Sequence, residues 1–263
     1  MTYESLLAPM TAAAHEAGQL VSAASRPERA ATAEEFAAAF HALEAPALAV
    51  LRRHLEALRP GVAWAEELDG LAGLPSEGEV WVVDAIDGAV QFLQGLPQYC
   101  VSLALVSDGE PVAAVLYAPL LGETYRAARG RGATLDGRPV APSVKTDPAA
   151  AVVATSQPPF IGRQPGVAEA AGRSLAAVLP RVAAVRNLGP TSWQIADTAA
   201  GRLDAFWQFG RDAANLLPGA LVAREAGAVV SDADGKPWTA ASDSFLSAPA
   251  GLHGHLVDAL RLG

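Results

Sequence analysis

The sequence predicts an α/β fold in which N-terminal helices cover a largely antiparallel sheet and the C-terminal half forms a mixed α/β sheet. Three patterns carry this expectation. Apolar residues recur at three- and four-residue steps in the first sixty positions; short runs rich in Val, Leu and aromatics then succeed one another across brief turns. From about residue 148, strand-like and helix-like runs alternate.

Leu6, Leu7, Met10, Ala14, Ala17 and Leu20 mark one face of a helix over residues 4–24. A second helix opens at Thr32, which precedes Glu35 in a capping-box pattern, and runs towards Arg59. Pro46 is expected to end or kink it. The runs VAWAE, VWVVD, CVSLALVS, VAAVLYAP and ETYRAA read as strands, and SDGEP between Val106 and Val112 suits a hairpin. Further on, AAVVATS, VAAVR, LDAFWQ and AVVSD read as strands separated by helices over 166–179, 191–201 and 215–226. The segment 136–148 is the expected seam between two units, 1–145 and 146–263, which share one interface.

A chain of 263 residues, 51% hydrophobic and 18% charged, buries enough surface to fold without a disulfide or structural metal. Its net charge of −9, from 19 basic and 28 acidic residues, opposes a nucleic-acid polymer or acidic membrane as partner. Cys100 is the sole cysteine and lies in an apolar strand, as expected in a reducing compartment. With neither a leader-like start nor a long apolar run, the expected location is cytoplasmic.

The most informative segment is VWVVDAIDGAVQFLQGLP. A buried strand delivers Asp84, and Asp87 follows just before Gly88, which permits a tight turn. Two carboxylates facing one space repel each other, and a cation between them relieves that repulsion. Mg²⁺ suits such hard oxygen donors. The same spacing also suits an ordinary Asp-rich turn. Glu66 and Glu67 end the run VAWAE, and pairing of that run with VWVVD would bring them towards Asp84.

Residues 81–92, WVVDAIDGAVQF, resemble the signature W-x-x-D-P-I-D-G-T-x-x-F of the inositol monophosphatase family, part of the lithium-sensitive, metal-dependent phosphatases. The resemblance continues through VSLALVSDGEPVAAVLYAP and ETYRAARGRGATLDGRPV. It resumes in GRLDAFWQFGRDAANLLPGALVAREAGAVVSDADG. It implies a layered αβαβα sandwich, Mg²⁺-dependent hydrolysis of a small phosphorylated metabolite, and a homodimer. Carried across by position, Glu66, Asp84, the carbonyl of Ile86 and Asp87 are metal ligands. Glu66, Asp84 and Asp87 form the catalytic set, with Glu66 also activating water.

The fifth ligand position holds Asn215 where the family has Asp, and Ala89 stands where the signature has Thr. Asp212, three residues earlier, offers another carboxylate if the helix begins early. Asn215 alternatively serves as the helix N-cap. By the same resemblance Gly88, Ala89, Gly189, Thr191 and Gln208 contact substrate; Gln208 replaces a Glu, and Pro190 removes one amide donor. SRPERAATAEEF lacks the lysine and the T-x-x-D segment that members often carry between the first two helices. These departures leave a second reading open, a catalytically impaired member that binds a phosphorylated metabolite or partner protein without turnover. His253 and His255 form an HxH better explained by a surface helix than by a metal site.

Overall fold

The computed structural model describes residues 2–24, 30–65, 74 and 77–261. Two helices come first, α1 (Leu7–Ala23) and α2 (Ala33–Leu58). In α1, Met10, Ala13, Ala14, Ala17 and Val21 are buried, whereas Leu20 is 44% exposed. The buried stripe thus passes through Val21 rather than Leu20, as steps of four, three and four residues from Met10 dictate. At Gly18 a Cβ would lie 2.7 Å from the Tyr117 ring, so this glycine sets how closely α1 approaches the sheet.

Thr32 caps α2 as its sequence predicts. The Glu35 amide donates to Thr32 Oγ1 at 3.2 Å and the Thr32 amide to Glu35 Oε2 at 3.3 Å. Pro46 does not end the helix, which continues for three more turns. Losing one amide donor is outweighed by Ala47, Leu51 and Leu55, all fully buried in the cluster that α2 shares with α1.

Seven strands follow in one sheet, ordered as in the sequence: β1 (Ala63–Trp64), β2 (Glu79–Asp87), β3 (Cys100–Ser107), β4 (Glu110–Ala118), β5 (Glu123–Ala128), β6 (Ala133–Leu135) and β7 (Arg138–Pro139). All neighbours are antiparallel except β1 and β2, which pair in parallel. The predicted SDGEP hairpin joins β3 to β4 with Asp108 and Gly109 both at positive φ, the backbone of a primed two-residue turn. A short helix, α3 (Ala89–Gln94), interrupts the strands after β2.

The second sheet has the order β11-β12-β10-β8-β9, formed by β8 (Val152–Thr155), β9 (Ala184–Arg186), β10 (Ala205–Phe209), β11 (Val229–Ser231) and β12 (Ser244–Ala248). β8, β9 and β10 run parallel, and β12 is antiparallel to both its neighbours. Its helices are α4 (Val167–Val178), α5 (Thr191–Ala199), α6 (Ala213–Glu225) and α7 (Ala250–Arg261).

Three apolar clusters define the layers. One joins α1 and α2 to the outer face of the first sheet. A second joins the inner faces of both sheets through α5 and α6, and the third joins the outer face of the second sheet to α4 and α7. The order is helices, sheet, helices, sheet, helices, the expected αβαβα sandwich. The middle layer is almost wholly buried, and for that reason α6 has little polar face to show.

Candidate metal and phosphate site

The site forms where β2 ends against the first turns of α5 and α6. β2 pairs Asp84 with Ser102 but Asp87 with Cys100, so one extra residue is inserted between the carboxylates. This bulge turns the chain and places the Ile86 carbonyl on the bent segment. Asp84 Oδ1 accepts from the Ile86 amide at 2.8 Å, which fixes the corner. Gly88 follows at φ 91°, where a Cβ would meet the Gln98 carbonyl oxygen at 2.8 Å. Only glycine fits that turn.

Asp87 is buried and accepts a hydrogen bond from the Ser192 hydroxyl in the first turn of α5. The Cys100 thiol lies 3.9 Å from the same carboxylate, and burial beside that carboxylate pushes the thiol up. Asp212 is equally buried. It accepts from Gln208 Nε2 at 2.9 Å and from Asn215 Nδ2 at 2.7 Å. Desolvation, opposed by the Ser192 hydrogen bond and assisted by the charge of Asp212, pushes Asp87 up to about 7. Desolvation likewise pushes Asp212 up to about 7; its bonds to Gln208 and Asn215 oppose this, and the charge of Asp84 adds to it. Asp84, Asp87 and Asp212 therefore sense one another as a cluster of like charges.

α6 begins at Ala213 with Asp212 at its N-cap position. Asn215 lies inside the first turn and is not the cap, because the helix starts earlier than residues 215–226 suggest. Asp212 and Asn215 consequently share one end of the helix and are hydrogen-bonded to each other. Gly189 has φ 47°, and a Cβ there would collide with the Gln91 side chain; Gly189–Pro190 is a cis peptide. Pro190 packs against Gly88, so the loop before α5 abuts the turn after β2. Thr191 is buried and donates to Ser156 Oγ at 3.0 Å. Gln208 is fully buried, and its described polar contact is with Asp212.

Asp84, Ala89 and Asn215 line a common cavity of about 940 Å³. β1 pairs Ala63 with Val80 and Trp64 with Trp81, so the chain reaches Ala65 heading towards the Asp84 end of β2. Glu66, expected to be a ligand and base, lies outside the described residues. The sequence places Ser192 at the entry of the helix after Pro190 but gives no local signal of its tie to Asp87, which crosses 105 positions.

Carboxylate and amide oxygens make up the donor set, and a divalent cation would offset both the desolvation and the smaller like-charge repulsion that raise Asp87 and Asp212. That chemistry fits Mg²⁺. Among the described residues no three His, Cys, Asp or Glu groups already converge on one point. Asp87 is turned to Ser192, and Asp212 to Gln208 and Asn215. His253 lies within α7, bonded to Ser231, and is no part of this site. Among the described residues no helix is long and apolar enough to cross a membrane.

Comparison with known proteins places the chain among relatives of similar sequence and fold. An inositol-1-monophosphatase of Rhizobium meliloti is 36% identical over 199 residues, 73% of this chain and 72% of that protein. Nus factor SuhB of Xylella fastidiosa is 34% identical over 186 residues, 71% of this chain and 66% of that protein. The structure of Mycobacterium tuberculosis SuhB superposes with a TM-score of 0.79 at 28% identity, covering 99% of this chain and 97% of that one. The sequence profile of the inositol monophosphatase family matches residues 2–261, and the chain belongs to that family.

Proposed function

We propose that the chain hydrolyses a small phosphate monoester with Mg²⁺. The observation that supports this best is the electrostatic coupling of Asp84 and Asp87 on β2 with Asp212 at the start of α6: burial first, and then the charge of Asp212 on Asp87 and of Asp84 on Asp212, push the two buried carboxylates up to about 7. Asp84, Asp87, Asp212, the Ile86 carbonyl and the Asn215 amide oxygen are the groups that would hold the ion. Mg²⁺, when bound, supplies Lewis acidity to the phosphoryl oxygens and to the attacking water. The amides at Gly88 and Ala89 orient the phosphoryl group, and replacement of the family's Thr by Ala89 leaves those backbone donors intact. Ser192 and Gln208 hold Asp87 and Asp212 in place. Water oxygen forms the new P–O bond while the ester oxygen leaves with its electron pair and takes up a proton; Glu66 accepts the proton of the water. No covalent bond to the protein is formed.

Asn215 and Ala89 favour a second reading, binding of a phosphorylated metabolite or protein partner without turnover. The relative named as a Nus factor points the same way. Phosphate release from sugar, inositol and nucleotide monophosphates, with Mg²⁺ and with chelator, separates the two. Mg²⁺-dependent release from any of them supports hydrolysis. Binding without release supports the second reading.

A further inference from the structure

The cavity that holds Asp84 and Asn215 at one end is walled elsewhere mainly by apolar side chains, with Thr32, His41, Glu44 and Arg163 the polar exceptions. Phe36 and Phe40 come from α2, Val90 from α3, and Phe160 from the segment before α4. Val90 is 59% and Phe160 60% exposed, although both are large and apolar. Phe160 also has a φ of 54°, uncommon for a bulky residue, and the Arg163 guanidinium lies 4.5 Å from its ring centroid. Backbone conformation and cation stacking together hold an aromatic face at the mouth of the cavity.

Resting on the phosphomonoesterase reading, we infer that the leaving alcohol carries an aromatic group that occupies this cavity. The polar end is continuous with the carboxylate corner and takes the phosphoryl group, so the alcohol must extend between the phenylalanines. A volume of about 940 Å³ accommodates one or two fused rings with room for the phosphate. Phe36, Phe40 and Val90 offer no hydrogen bond to polyol hydroxyls laid against them, a costly exchange for water. Gln208, the residue positioned by resemblance to receive a hydroxyl, is fully buried and bonded to Asp212. Gln208 is not among the residues that line this cavity, whose wall is mainly apolar.

The test compares 2-phenylethyl phosphate with glycerol 1-phosphate and inositol 1-phosphate, whose leaving alcohols are all unactivated, in the full chain with Mg²⁺. Burying a phenyl ring contributes enough to raise kcat/KM for the aromatic ester at least about tenfold over either polyol ester. In Phe40→Ala and in the surface variant Phe160→Ser, that ratio should fall by about tenfold through KM. Equal or faster turnover of the polyol esters, or an unchanged ratio in both variants, would overturn the inference while leaving phosphatase activity intact. Phosphate release from none of the three, nor from the sugar and nucleotide monophosphates, would instead defeat the hydrolase reading. Calorimetric titration then still decides the cavity's preference: 3-phenylpropylphosphonate should bind at least about tenfold tighter than 3-hydroxypropylphosphonate, and equal binding would overturn it.

Discussion

Asn215 turns its amide nitrogen towards Asp212 at 2.7 Å, where a carboxylate at the same position would face another carboxylate. The amide neutralises no charge, yet it lowers the proton affinity of Asp212 and leaves its own oxygen available. Asn215→Asp removes that donor and sets two carboxylates side by side, where unit charges 4 Å apart interact by about 4 kcal/mol at an effective dielectric of 20. Without metal the variant should melt at lower temperature, and the rise in Tm on adding Mg²⁺ should exceed that of the unaltered protein. Equal Mg²⁺ shifts in the two proteins would place Asn215 outside the metal shell. Asp84→Asn should have the opposite effect and remove most of the Mg²⁺-induced rise. Ser192→Ala leaves the buried Asp87 carboxylate short of its hydroxyl donor, so chemical denaturation above pH 7 should show a loss of about 1.5–3 kcal/mol. Asp84, Asp87 and Gly88 were legible in the sequence because strand, carboxylates and turn residue lie within a few positions. Ser192 and Asp212 were harder to read, since their roles depend on how α5 and α6 pack against β2, and a helix start shifted by two residues changes which side chain caps it.

At the scale of elements, the turn between β2 and α3 is the least tolerant part of the site. Gly88→Ala would impose a Cβ at φ 91° and drive it onto the Gln98 carbonyl at 2.8 Å, against backbone that cannot rotate away. The expected loss is about 1–3 kcal/mol in urea unfolding, with activity falling as the amides of residues 88 and 89 shift. A stability change under 0.5 kcal/mol would mean that the turn relaxes freely. Thr32→Ala tests an element that sequence alone identified: losing one side of the capping box should cost about 1 kcal/mol. The long strands β2 to β5 and helices α1, α2 and α4 were legible because each has one clear period. Pro46 misled, since a local rule about proline takes no account of the packing of Ala47, Leu51 and Leu55. β12 was missed because SFLSA is short and follows polar turns, yet it pairs with both β10 and β11. α3 likewise lies in a stretch too short to show a helical face, whereas α7 was legible only as a surface helix carrying His253 and His255.

In the whole molecule, α5 and α6 serve two sheets at once and bring α5's Ser192 to Asp87 of the first sheet. Stability and the proposed metal binding are thereby expected to be coupled, and pH exposes the coupling. Asp87 and Asp212 titrate near 7 in the folded protein against an ordinary 3.8, so between those values the folded state holds more protons than the unfolded one. In chelator, their contribution is fully present below about pH 4 and is lost as pH rises through about 7. Mg²⁺ binds the charged forms and should offset the loss, so the difference in Tm between Mg²⁺ and chelator should widen steadily over that range. Asp197, raised by burial, and His15 and His253, lowered by burial, also shape the pH profile. None of the three touches the carboxylate corner, so they contribute alike with and without metal and cancel in the difference. Thermal melts across this range, with Mg²⁺ and with chelator, make the measurement. A difference independent of pH would mean that Mg²⁺ displaces no proton from Asp87 and Asp212, and the two carboxylates would not be the groups that take up the ion.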